Sequence, residues 1–140
     1  MRVVILEGWC VGARPQAAAE LATPINALER DEDPDGRWRG HVNAALAGPY
    51  RALFDRLSPL VLLQAPSFEV VQGWRAEQEH KLRQKLQREG GDASHLMDDA
   101  AIARFIAHYE RVTRHILAEM PQRADHLIRL SATRTAQWLW

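Results

Sequence analysis

Cysteine is nearly absent from this chain: Cys10 stands alone among 140 residues, so no intrachain disulfide can form and a reducing, cytoplasmic compartment is expected. Lysine is almost as scarce, with Lys81 and Lys85 against sixteen arginines. A Walker A loop, G-x-x-x-x-G-K-[ST], needs a Gly-Lys pair, because its glycines let backbone N–H groups cradle phosphates while the lysine reaches the β and γ oxygens. None of the eight glycines is followed by lysine, so these residues contain no P-loop. Charge of one sign is missing as well. Eighteen basic residues balance eighteen acidic ones, which leaves no basic excess for nucleic acid or anionic lipid. The longest apolar stretches, at residues 3–6 and 60–63, fall far short of the ~20 residues of a membrane span. The opening Met1-Arg2-Val3-Val4 lacks the apolar region and cleavage site of a signal peptide. The six histidines show no H-E-x-x-H or Cys/His metal pattern, and the G-x-S-x-G nucleophile elbow is absent.

What remains is 46% hydrophobic and 26% charged, the composition of one soluble domain over residues 1–140. Val3-Val4-Ile5-Leu6 is β-branched and wholly apolar, which predicts a strand covered on both faces. Leu60-Val61-Leu62-Leu63 predicts a second such strand, parallel and adjacent to the first. Between them, residues 9–40 read as a long irregular surface connection with an acidic tight turn at residues 31–36. Residues 42–57 have near-helical apolar spacing, but Gly48-Pro49 predicts a helix only after Pro49. Pro66-Ser67 opens a charged helix running to about Arg88 and closed by Gly90-Gly91. A second long helix is opened by Asp98 or Asp99 and stopped by Pro121, with apolar residues recurring at i, i+3, i+4 and i+7 from Ile102 to Met120. His126-Leu127-Ile128-Arg129-Leu130 predicts a last strand. Strand followed by helix is the α/β rhythm.

Three constellations carry chemistry. Glu7 follows the first apolar run, where α/β proteins present groups at the carboxyl edge of a sheet. A carboxylate there holds Mg²⁺ through water or takes a proton from a hydroxyl; otherwise it pairs with a nearby loop. In the charged helix, Arg75 and Gln78 fall within the stripe defined by Val71, Trp74 and Leu82, with Glu79 at its edge. Polar groups on a buried face meet either a ligand or each other, here as an i,i+4 ion pair. In the last helix, Arg104, His108, Arg111 and His115 lie opposite the apolar stripe and Arg114 flanks it. Such a side either folds over phosphate or is simply solvated. For Cys10, a packed thiol is the expected state, since no base is identified beside it.

Taken in order, Val-Val-Ile-Leu-Glu-Gly-Trp-Cys-Val-Gly-Ala-Arg-Pro-Gln (3–16), Trp-Arg-x-x-Gln-Glu (74–79), Phe-Ile-x-His-Tyr-Glu-Arg-x-Thr-Arg (105–114) and Met-Pro-x-x-Ala-Asp (120–125) run through nearly the whole chain. Together these blocks resemble the C-terminal half of D-glycerate 3-kinase-like P-loop kinases, relatives of the uridine kinase, phosphoribulokinase and pantothenate kinase group. The resemblance implies an α/β fold of partial P-loop-kinase type, with short parallel strands, long helices and the N-terminal P-loop unit missing. It implies phosphoryl transfer from ATP with Mg²⁺ to a hydroxyl of a small acid such as D-glycerate. By the same resemblance Glu7 positions Mg²⁺ (through water) or the acceptor hydroxyl, Arg14 lies on the acceptor loop, Arg75 and Glu79 border the substrate cleft, and Arg111 and Arg114 approach the transferring phosphate.

The family carries its Walker A loop in an N-terminal unit, and phosphoryl transfer depends on the positioning and charge that this loop supplies. ATP and Mg²⁺ are therefore expected to belong to the full-length family and not to bind tightly to this chain by itself, which should be inactive without the P-loop half. The alternative is a non-catalytic interaction module that keeps the fold and pairs its sheet edge with an N-terminal half or a second copy. Neither nucleic acid nor membrane is an expected partner. In the assembled form Glu7, Arg75, Arg111 and Arg114 are expected to converge on one cleft.

Overall fold

The computed structural model describes residues 3–92 and 94–137. Its organising element is α5 (Asp99–Glu119). Asp98 caps it by accepting a hydrogen bond from the Ala101 N–H at 2.8 Å, and Pro121 follows in a short 3₁₀ turn. The recurrent apolar spacing puts Ile102, Ile106, Ile116 and Met120 in the interior. The helix serves two cores. Ile102 and Ile106 pack with Phe68 against α4 (Glu69–Glu89), while Ile116 and Met120 join Ala13, Leu46 and Leu62.

That second core is floored by a mixed sheet in the order β1-β2-β3, comprising Val61–Gln64, His126–Leu130 and Ala136–Gln137. β1 and β2 are parallel, with Leu62 opposite Leu127 and Leu63 opposite Ile128. The α4–α5 pair supplies the crossover that parallel strands require. β3 adds antiparallel to β2. The mixed α/β architecture is thus the expected one, with long helices over short parallel strands.

The partner of β1 is not the expected one. Residues 3–6 form no strand, and Val3, Val4 and Ile5 are 75, 91 and 86% exposed. β-propensity expresses fit to a half-buried pleated surface, and no such surface lies against this run. β1 itself buries Leu62 on one face and leaves Val61 and Leu63 exposed, so it is covered on one side rather than two.

The segment expected as irregular is also more ordered. It contains α1 (Ala27–Glu32) and the beginning of α2 (Arg37–Ala47), which precedes Gly48-Pro49 and α3 (Pro49–Phe54). Side-chain caps organise it. Asn26 accepts from the Glu29 N–H at 2.9 Å, and Asp33 accepts from the N–H groups of Trp38 and Arg39 at 2.8 and 3.1 Å. The acidic turn is confined to residues 33–36, with Gly36 at φ 72° donating to the Asp33 carbonyl, because Asp31 and Glu32 close α1. α2 escaped the sequence reading because Gly48-Pro49 pointed to a helix only after Pro49, whereas that pair instead separates two helices.

Candidate functional site

Between α2, α5 and residues 14–29 lies a cavity of about 410 Å³. Two residues before Arg14, Gly12 has φ 79°, and a Cβ there would stand 2.9 Å from a methyl of Leu60. The cavity walls are apolar over Leu21, Leu28, Trp38, Val42, Leu46 and Val112. Its charged groups come largely in pairs. Arg111 lays its guanidinium on Glu29 at 2.7 and 2.6 Å and also donates to the carbonyls of Glu20 and Thr23 at 2.9 and 2.8 Å. Arg39 pairs with Asp33 at 3.0 Å and donates to the Leu21 carbonyl at 2.7 Å. Burial would raise the Glu29 carboxyl, but hydrogen bonds from Arg111 and the Ile25 N–H, with the charges of Arg111 and Arg39, hold it below the ordinary glutamate range. Burial likewise works against the Asp33 carboxylate and is outweighed by the Trp38 and Arg39 N–H groups and the Arg39 charge.

Two polar groups on the walls are less committed. Arg14 reaches Asp55 at 3.2 Å, but that carboxylate also serves Arg51 at 2.8 Å. The Nε2 of His115 is buried without a hydrogen-bond partner among the described residues.

The opposite side of α5 faces α4. There Arg114 lies exposed, 5.0 Å over the Phe68 ring, and binds Glu110 and Glu69 at 2.8 Å each. The Ser67 hydroxyl, the Glu69 N–H and Arg114 together pull the Glu69 carboxyl down to about 2. Arg75 sits 5.6 Å over Phe105, donates to Gln78 at 2.8 Å and forms a close ion pair with Glu79. The pair is the i,i+4 arrangement foreseen, yet the burial differs: Glu79 is at the centre of the interface, 4% exposed, while Gln78 is outside it. The second oxygen of Glu79 has no hydrogen-bond partner among the described residues.

The candidate residues therefore divide. Arg14 and Arg111 line the cavity, whereas Arg75, Glu79 and Arg114 lie at or beside the α4–α5 interface. Glu7 is exposed ahead of a turn that Trp9 pins to α5 by stacking on Tyr109 at 4.8 Å and donating to the Thr113 hydroxyl at 2.9 Å. The expected single cleft is not assembled here. Arg111 also departs from the solvent-facing side assigned to it, because residues 20–29 pack over that flank of the helix. Asn43 and the Glu29 and Asp33 carboxylates were missed as site residues, while the sequence marks His115 only as part of the basic helix side. Asn43 exchanges two hydrogen bonds with the Gln16 backbone at 2.7 and 3.0 Å, a long-range closure with no local signal. Cys10 is packed against the second core, and burial pushes its thiol up. Among the described residues no cluster suited to a metal ion occurs, and no helix is long and apolar enough to cross a membrane.

Fold and site thus define a mixed α/β domain with an arginine-lined cavity beside a long amphipathic helix. Across 108 residues, 76% of its length, the chain is 32% identical to a Schizosaccharomyces pombe protein named "Uncharacterized kinase mug58". It spans 35% of that relative's length. No protein-family profile matches the chain, and no solved structure matches it.

Proposed function

We propose that this chain is the acceptor-binding and charge-neutralising part of an ATP-dependent small-molecule kinase of the D-glycerate 3-kinase kind. The observation that carries the reading is the similarity to a kinase-named protein over three quarters of the chain. In this reading the product is a phosphate ester of a small hydroxy acid. Arg114 and Arg75, each resting on an aromatic face, are the guanidiniums available to phosphate. Glu79 positions Arg75 through their ion pair, and Glu7 supplies the acidic group on the acceptor side. Arg14 takes the acceptor's carboxylate. Arg111 acts by positioning, since Glu29 and two carbonyls already occupy its guanidinium.

The residues present do not fit an ATP cradle, because no Gly-Lys pair exists to form one. Calorimetry of the isolated chain with Mg-ATP should accordingly show no micromolar binding. The reading is tested by D-glycerate-dependent ATP turnover when the chain is joined to a P-loop-bearing segment. Absence of turnover with D-glycerate and with other small hydroxy acids would remove it.

The edge of β1, unpaired among the described residues, with Val61 and Leu63 49 and 60% exposed, and the separate exposed apolar run at residues 3–6 favour a second reading as a strand-pairing interaction module. Concentration-dependent association, in a chain that never supports turnover, is the outcome that selects it.

A further inference from the structure

The cavity beside α5 is larger and more apolar than a three-carbon acid requires. Its volume of about 410 Å³ falls within the ~300–1,000 Å³ of small-molecule sites. Trp38 and Val42, one helical turn apart on α2, are 70 and 44% exposed at its margin, presenting apolar surface where a ligand would enter. The charges on its walls leave a defined surplus. Glu29 is matched by Arg111, Asp33 by Arg39, and Glu32 by Arg104 outside the cavity. Among the described residues Arg14 has only a share of Asp55, and His115 Nε2 has no partner. One under-neutralised guanidinium and one orphaned ring nitrogen suit a single anionic head. Three wall carboxylates oppose a doubly charged one.

From this geometry we infer that the cavity is a binding site for a monocarboxylate with an apolar body, its carboxylate on Arg14, a second polar atom at His115 Nε2, and its apolar portion against Trp38, Val42 and Leu46. The inference takes the carboxylate role of Arg14 from the kinase reading but assigns it an acid more apolar than D-glycerate, and it does not depend on phosphoryl transfer.

The test is a titration of the whole chain, followed by ¹H–¹⁵N NMR, with 3-phenylpropionate, its neutral amide, and D-glycerate. Saturable shifts centred on Arg14, Val42, Leu46 and His115 are expected for 3-phenylpropionate, with a Kd of about 1 mM or tighter, as befits a fragment-sized ligand. The amide and D-glycerate should each bind about tenfold more weakly or less, the first for lack of charge and the second for lack of apolar area. Arg14→Gln should erase the preference for carboxylate over amide, and Val42→Trp should close the margin and abolish binding. The comparison of the three ligands on the unaltered chain stands even if a variant misfolds. Equal affinity for carboxylate and amide, D-glycerate binding as well as 3-phenylpropionate, shifts centred elsewhere, or no saturable shift in the millimolar range would each overturn the inference. Because no ATP is present, failure here leaves the kinase reading to its own turnover test.

Discussion

The two sides of α5 handle arginine in opposite ways. On the loop side, Arg111 is 7% exposed and bound to a carboxylate and two carbonyls. One turn further on, Arg114 lies on an aromatic face in water, held by the exposed Glu69 and the largely buried Glu110. The same side chain is a fastener in one region and an available charge in the other. What differs is not the helix but what covers it: residues 20–29 close over Arg111, whereas only the margin of α4 approaches Arg114. Desolvation makes the first pair indispensable to folding, and solvent makes the second nearly irrelevant to it.

The largest break in this comparison should come from Arg111→Ala. It leaves Glu29 buried without its partner and should lower unfolding free energy by about 3–5 kcal/mol, measured by urea denaturation. Arg114→Ala should change stability by less than about 1 kcal/mol. In a turnover-competent joined form it should instead reduce kcat by about 10²-fold, the scale of removing one charge-stabilising donor. A variant at Arg114 that loses stability without losing specific activity would make it an ordinary surface charge. Gly12→Ala tests whether the turn before Arg14 depends on its left-handed backbone: steric pressure on Leu60 and the positive φ should cost about 1–3 kcal/mol, read as a shift in the urea midpoint.

The gentlest probe is pH. The folded-state pKa values of Glu29 and Asp33 lie below their ordinary 4.5 and 3.8, so their contribution to stability is complete above those values and drains away as the pH falls through the lowered folded ones. Glu29→Gln removes one of these groups and should flatten the fall in urea midpoint at acidic pH, below about pH 4. An equally steep fall in the variant would show that Glu29 does not titrate as part of the clasp.

Much of the α4–α5 side was legible. Asp98, Gly90 and the 3.6-residue apolar period are local signals, and local backbone preference together with one buried stripe is enough to specify a helix. The Arg75–Glu79 pair was legible too, since i,i+4 neighbours meet on any helix. The loop side was not. Asp33 with Arg39, Asn43 with residue 16, and Glu29 with Arg111 join residues 6, 27 and 82 positions apart, and nothing in the local pattern announces a partner at such distances. Residues 3–6 show the converse failure. They carry a strong strand signal, but a strand exists only when a neighbour supplies its hydrogen bonds and something covers its face.

The sequence by itself determined the two long helices, the strands at residues 61–64 and 126–130, and the absence of a Gly-Lys phosphate cradle, because each follows from residue type and short-range spacing. Only the tertiary structure decided that β1 pairs with β2, that Arg111 is buried while Arg114 is exposed, and that an apolar cavity opens beside α5. Those outcomes depend on which distant surface excludes water from a given side chain, and desolvation is a property of the assembled fold rather than of any stretch of chain.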